Sequence, residues 1–233
     1  MEDRRQWVSF DPRHFEKEKR DKDQDIRSTF QEIYLRNHWA GEESISGEGA
    51  GSNQTKTLRA ELPKLLEYLK IRTLLDLPCG DLSWISDLDL PVDHYIGADI
   101  VPELISQNRD NFQHSNKEFE VLDLTTDPLP KADLILCRDC LVHLSFRGIS
   151  KAVQNLKTSS ITWLITTTFT ECDRNEDIST GDWRPLNLQK APFSFPPPER
   201  LINEECTEGD GKFSDKCLGL WKIEALPEIT LSP

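Results

Sequence analysis

No apolar run in the chain approaches the ~18 residues of a membrane span. No apolar stretch follows the opening Met1-Glu-Asp-Arg-Arg, so neither a span nor a secretory leader is expected. Basic residues are in deficit: 28 Lys and Arg stand against 41 Asp and Glu, a net charge of -13. The pI is near 4.9. Such a surface repels phosphate backbones and anionic bilayers, so nucleic acid and membrane are not expected as partners. Cysteine is not scarce, but it lacks the setting of a disulfide framework. Cys79, Cys137, Cys140, Cys172, Cys206 and Cys217 belong to a chain of 233 residues without a leader, so reduced thiols and a cytoplasmic location are expected. Cys137-Arg-Asp-Cys140 has CxxC spacing but no second pair and no His at ligand distance, so no metal is expected. What remains is a chain with 36% hydrophobic residues and a mean hydropathy of -0.56. That is enough for the core of one soluble domain.

Residues 1–25 are dense in charge and nearly free of apolar residues, which reads as a solvated, flexible extension. Residues 26–54 form a second section. Ile26, Phe30, Ile33 and Tyr34 mark one face of a short helix. His38-Trp39 comes next, then Gly41–Asn53, which holds four of the eleven glycines. That segment is either a linker or a lid. Its place before the first long helix favours a lid, with Trp39 at its base, that closes and orders over a bound ligand. From residue 55 to 233 the chain reads as a single domain. Leu58, Leu62, Leu65, Leu66 and Leu69 make the stripe of a helix capped by Thr55 or Ser52. Short apolar runs then recur at Thr73–Leu77, Tyr95–Ala98, Phe119–Leu122, Leu134–Cys137 and Ile161–Thr167. Helices lie between them, one opening at Pro102 and one spanning Ser145–Leu156 with Ser145 as its cap. This alternation implies an α/β fold with a mostly parallel sheet covered on both faces. Leu201–Asn203 and Lys216–Lys222 predict two final strands paired antiparallel.

Ligands of open α/β sheets lie at the carboxyl ends of the strands. The first strand there runs into Leu74-Leu-Asp-Leu-Pro-Cys-Gly-Asp81. Its single glycine, Gly80, permits close approach of a ligand. A dinucleotide would want GxGxxG, and the acidic neighbours Asp76 and Asp81 suit a cationic ligand instead. The second strand ends at Asp99-Ile100, 19 residues after Gly80, where a carboxylate can accept both hydroxyls of a ribose. The third ends at Asp123-Leu124, suited to an adenine amino group, and the fourth at Arg138-Asp139. Any one such aspartate could be a helix cap; together they read as a site.

These motifs (LLDLPCGD, YIGADI, VLDL and ADLILCRDCLVHL) resemble those of class I S-adenosylmethionine-dependent methyltransferases, over about residues 55–170. The resemblance implies a Rossmann-like seven-stranded mixed sheet with helices on both faces and an N-terminal helical lid. It also implies S-adenosyl-L-methionine as cofactor. Asp76, Pro78, Cys79, Gly80 and Asp81 would contact its methionine and sulfonium end, Asp99 and Ile100 the ribose, and Asp123 and Leu124 the adenine edge. Arg138 and Asp139 would form the floor beside the transferred methyl. The run Thr180-Gly-Asp-Trp-Arg-Pro-Leu-Asn-Leu-Gln189 is similar to one in a bacterial-type subgroup. Either it is a structural loop pinned by Trp183 with an Asp182–Arg184 surface pair, or it is a substrate lid; its position after the fifth strand favours the lid. On that reading Trp183 and Arg184 bind the acceptor, and Arg184 makes it a small, polar, partly anionic molecule, methylated on O or N. Asp139, His143 and Asp182 are the candidate bases, with a hydrogen-bonded wall residue as the alternative role for His143. Two other classes are a non-catalytic cofactor-binding or interaction protein on this fold and a nicotinamide-dependent reductase, which the missing GxGxxG disfavours.

Overall fold

The computed structural model describes residues 11–18, 25–39 and 43–231. Seven strands form one sheet: β1 Thr73–Asp76, β2 His94–Asp99, β3 Lys117–Val121, β4 Leu134–Cys137, β5 Trp163–Phe169, β6 Arg200–Asn203 and β7 Lys216–Lys222. Their order is β3-β2-β1-β4-β5-β7-β6. The first five are parallel neighbours, whereas β7 runs antiparallel between β5 and β6. Alternate residues of the central strands enter opposite cores. Leu74, Leu134, Leu136 and Ile165 face one, and Leu75, Ile135 and Leu164 the other. Burial on both faces is why these strands read as unbroken apolar runs.

The helices are α1 His14–Lys17, α2 Ile26–Arg36, α3 Ser52–Leu69, α4 Pro102–Phe112 and α5 Phe146–Thr158. Helices α3 and α4 pack on one face through Leu58, Leu62, Leu66 and Ile105. On the other face α5 packs through Ile149, Ala152, Val153 and Leu156. The predicted cap of α5 is present, with Ser145 Oγ accepting from Gly148 N at 3.1 Å. The predicted cap of α3 is not. Gly51 occupies that position, and the Glu43 carboxylate accepts from Ser52 N at 2.8 Å instead.

One stretch differs from the sequence reading. Within the charged extension His14–Lys17 form α1, and Phe15 is only 1% exposed. One apolar side chain in a charged run is enough to anchor a single turn when a pocket is waiting for it. The proline-rich stretch after β5 is a packed wall, with Leu186, Leu188, Phe193 and Phe195 entering the α5-side core. Among the described residues no helix is long and apolar enough to cross a membrane.

Candidate active site

The ends of β1 to β4 and the amino-terminal segment line a cavity open to solvent. The apolar stripe Ile26, Phe30, Ile33 and Tyr34 of α2 forms its roof, with Trp39. The floor holds Asp76, Pro78, Cys79, Gly80, Asp81, Asp99, Ile100, Asp123, Leu124, Arg138, Asp139 and His143. Thus every residue the sequence placed at strand ends β1–β4 reaches one space.

Asp99 accepts from Val101 N at 3.0 Å and Gly80 N at 3.2 Å. Burial pushes its carboxyl up to about 6 despite those bonds. Asp76 accepts from Tyr95 OH at 2.6 Å. Burial raises it further, to about 7. Both carboxyls are desolvated at the cavity wall, so a ligand that brings hydroxyl or ammonium donors would favour their ionised form. Asp123 Oδ1 accepts from Thr125 N and Oγ1 at 2.8 and 2.7 Å. Gly80 has φ +56, and a Cβ there would collide with Ser46 Oγ. That glycine therefore admits the lid as well as a ligand. Asp81 is held by the lid too, accepting from Ser44 Oγ and Ile45 N, each at 2.9 Å. Its carboxylate thus ties residues 44–45 to the cavity that Asp81 lines. Part of the predicted lid, residues 40–42, lies outside the described residues.

A second cavity adjoins the first, sharing Trp39, Ser46, Asp139 and His143. Its other walls are Phe169, Trp183, Phe213, Glu48, Glu208 and Lys216. The sequence reading missed Phe169, Glu208, Phe213 and Lys216. The signal for them was the antiparallel final pairing, which brings the amino end of β7 to the carboxyl edge, with Lys216 opposite Phe169. Lys216 Nζ lies 2.8 Å from Asp139, and Arg138 lies 2.7 Å from Glu204 and 3.4 Å from Asp139. Burial opposes the charge on Asp139, but Lys216 and Arg138 outweigh it and hold the carboxyl well below its usual range. Asp139 therefore stays ionised and takes up protons poorly, which corrects its place among the bases. His143 ends a short 3-10 turn, Leu141–His143, before α5. Its Nδ1 donates to the Asp182 carbonyl at 3.0 Å, which leaves the Nε2 lone pair available. Burial lowers its pKa to about 4, so the ring is neutral at pH 7. The ring lies against Trp39, with centroids 4.6 Å apart.

The Asp182–Arg184 expectation is corrected on two of three residues. Asp182 is 1% exposed, and its carboxylate accepts from Phe15 N at 2.8 Å and Glu16 N at 3.0 Å. It caps α1 and is no base. Arg184 is 3% exposed and donates to the carbonyls of Leu141, Leu144 and Glu176 at 2.9, 2.7 and 3.2 Å. Burial lowers its pKa to about 9, more than Asp177 raises it. It pins the turn that carries His143 and does not line either cavity. With it goes the argument for an anionic acceptor. Trp183 alone of the three is a cavity wall.

No family model matches the chain, and no curated protein matches it. Solved structures do. N-methyltransferase NodS from Bradyrhizobium japonicum WM9, bound to S-adenosyl-l-homocysteine, superposes with a TM-score of 0.55 at 14% identity, over 85% of this chain and 98% of that one. Human N-acetylserotonin methyltransferase, in complex with SAM, gives 0.53 at 15% identity, over 76% of this chain and 54% of its own. The fold is theirs. The methyltransferase domain of bacterial CtHen1 gives a TM-score of 0.44 at 15% identity, and this chain spans 66% of its length.

Proposed function

We propose that this chain is an S-adenosylmethionine-dependent methyltransferase whose acceptor is a small molecule seated in the second cavity. The observation that carries the reading is the row of buried carboxylates at the ends of β1, β2 and β3, in a cavity that also has a close-approach glycine. Asp99, a buried carboxyl at the cavity wall, fits the two hydroxyls of a ribose. Asp123 and Leu124 fit an adenine edge, and Asp76 fits an ammonium. The apolar roof from α2 and Trp39 fits the flat base and keeps water out. When bound, S-adenosylmethionine supplies a methyl group on a sulfonium; the protein's part is to position the acceptor in line and to exclude water. Asp139, ionised and lining both cavities, stands where a sulfonium and an acceptor would meet. His143 Nε2 can accept a hydrogen bond from the acceptor without being charged. Calorimetric titration with S-adenosylhomocysteine and with NADH tests the proposal. Binding of the first and not the second is expected. Absence of S-adenosylhomocysteine binding by protein with native circular dichroism removes it.

A further inference from the structure

The walls and charges of the second cavity describe what it would hold. At one end Phe169, Trp183 and Phe213 pack edge to face. Trp183 and Phe213 have centroids 4.9 Å apart at 73°, and Phe169 lies 6.0 Å from Trp183 and 5.9 Å from Phe213. Facing the cofactor cavity, Trp39 lies over His143, and its Nε1 is buried with no partner among the described residues. Between these aromatic walls the charges converge on Gly49. A Cβ at that position would lie 3.3 Å from Asp139 Oδ2 and 3.5 Å from both Glu208 Oε2 and Lys216 Nζ.

Those charges do not cancel. The Lys216 side chain is 5% exposed and closed in by Asp139, Glu204 and Glu208 at 2.8, 3.6 and 3.8 Å. Arg138 is committed to Glu204 and to the Gly49 carbonyl. The side chains of Asp139 and Glu208 remain about a quarter exposed, and Glu48 joins them on the wall. Four carboxylates (Glu48, Asp139, Glu204, Glu208) against two cations (Arg138, Lys216) leave two negative charges.

We infer that the acceptor is an amine, protonated in solution and carried on a flat apolar body, and that it is methylated on nitrogen. This rests on the methyltransferase reading above and sharpens it. An ammonium answers the uncompensated carboxylates, and aromatic faces attract cations and bury flat apolar groups. A carboxylate or phosphate acceptor would add to the excess charge. A hydroxyl would leave it unanswered and would need a strong base. The ammonium gives up its proton to water through the open mouth. The nitrogen lone pair then forms the N–C bond while the C–S bond breaks and its electron pair stays on sulfur. The product is a methylated ammonium and S-adenosylhomocysteine, with one proton released.

Three probes of matched shape test the inference by calorimetry on protein saturated with S-adenosylhomocysteine at pH 8: phenethylamine, 2-phenylethanol and 3-phenylpropionate. Phenethylamine is expected to bind at least about tenfold more tightly than the other two, the scale of one charge-assisted contact. With S-adenosylmethionine in place of the product, mass spectrometry should detect N-methylphenethylamine. Glu208→Gln should weaken phenethylamine by about threefold or more, because the pair is partly screened by water, while S-adenosylhomocysteine affinity is unchanged. Equal or tighter binding of the alcohol or the acid overturns the inference. So does failure of all three probes to bind while S-adenosylhomocysteine binds. Failure of S-adenosylhomocysteine itself to bind overturns the methyltransferase reading instead.

Discussion

The ends of β1–β4 and the loop after β5 are both rich in Asp and Arg, yet they use them in opposite ways. At the strand ends the carboxyls line a cavity. Asp76 accepts from the Tyr95 hydroxyl and Asp99 from backbone amides; burial raises both. In the loop Asp182 and Arg184 line neither cavity and turn to the chain itself. Arg184 donates to three carbonyls and Asp182 accepts from two amides, although burial raises Asp182 too. A buried polar group that borders no cavity and bonds only to the chain is structure. One at a cavity wall is placed to meet a ligand. The loop does bear on the site, but indirectly. Arg184 holds the Leu141 and Leu144 carbonyls, the Asp182 carbonyl fixes the His143 tautomer, and Trp183 is a wall.

The sharpest way to break this contrast is Arg184→Ala. It strands three carbonyls in a buried setting, and each buried acceptor left unsatisfied costs about 1–3 kcal/mol, so a total of at least about 3 kcal/mol is expected. Urea denaturation should show a loss of that order, and Arg184→Lys should not restore it, because one ammonium cannot span the three acceptors. A fully stable variant with weakened acceptor binding would instead put Arg184 back among the substrate contacts. At the strand ends the opposite signature is expected. Asp99→Ala should keep the fold while S-adenosylhomocysteine affinity drops by about tenfold or more, since hydrogen bonds to a charged group contribute ~1.5–3 kcal/mol each. Ribose hydroxyls favour the ionised carboxyl, so wild-type affinity should fall as pH drops below about 6. That slope should vanish in the variant.

Legibility divided along the same line. The seven strands and the acidic strand ends were readable, because a sheet buried on both faces repeats apolar runs and sets the residues after each run at one edge. Phe169, Phe213 and Lys216 were harder to see: they meet only through the antiparallel pairing of β7 with β5, at a sequence separation that spacing does not report. Asp182 and Arg184 were misjudged because loop residues look the same whether they serve a ligand or the backbone. Their partners, the amides of Phe15 and Glu16 and the carbonyls of residues 141 and 144, carry no side-chain signature. Phe15 was hidden by its charged neighbours.

Asp182→Ala separates cap from base at a smaller scale. It removes the acceptor for two amides of α1, and loss of a cap costs about 0.5–2 kcal/mol. Hydrogen exchange at Phe15 and Glu16 should accelerate by about tenfold, with S-adenosylhomocysteine affinity little changed. Unaltered exchange at those two amides would mean that the contact contributes nothing.

The smallest effect expected comes from Asp76, and its sign depends on pH. Its carboxyl is raised to about 7 by burial, with the Tyr95 hydrogen bond pulling the other way; an unfolded Asp titrates near 3.9. A raised carboxyl stabilises the fold fully below the unfolded value. That stability is lost as pH climbs toward the folded value, because the unfolded chain sheds its proton first. Asn is close in shape, can still accept from Tyr95 and does not titrate. Asp76→Asn should therefore stabilise the ligand-free protein, with a gain that grows from about pH 4 to about pH 7 and flattens above. By thermal denaturation at pH 8 the midpoint should rise by at least about 3 °C, the scale of ~1 kcal/mol in a chain of this size. The same substitution should weaken S-adenosylhomocysteine, because the ammonium loses its carboxylate. Stability gained where ligand affinity is lost is the mark of a group kept underpaired for a ligand; a midpoint indifferent to pH in the variant-minus-wild-type difference would place Asp76 with the self-satisfied residues of the loop.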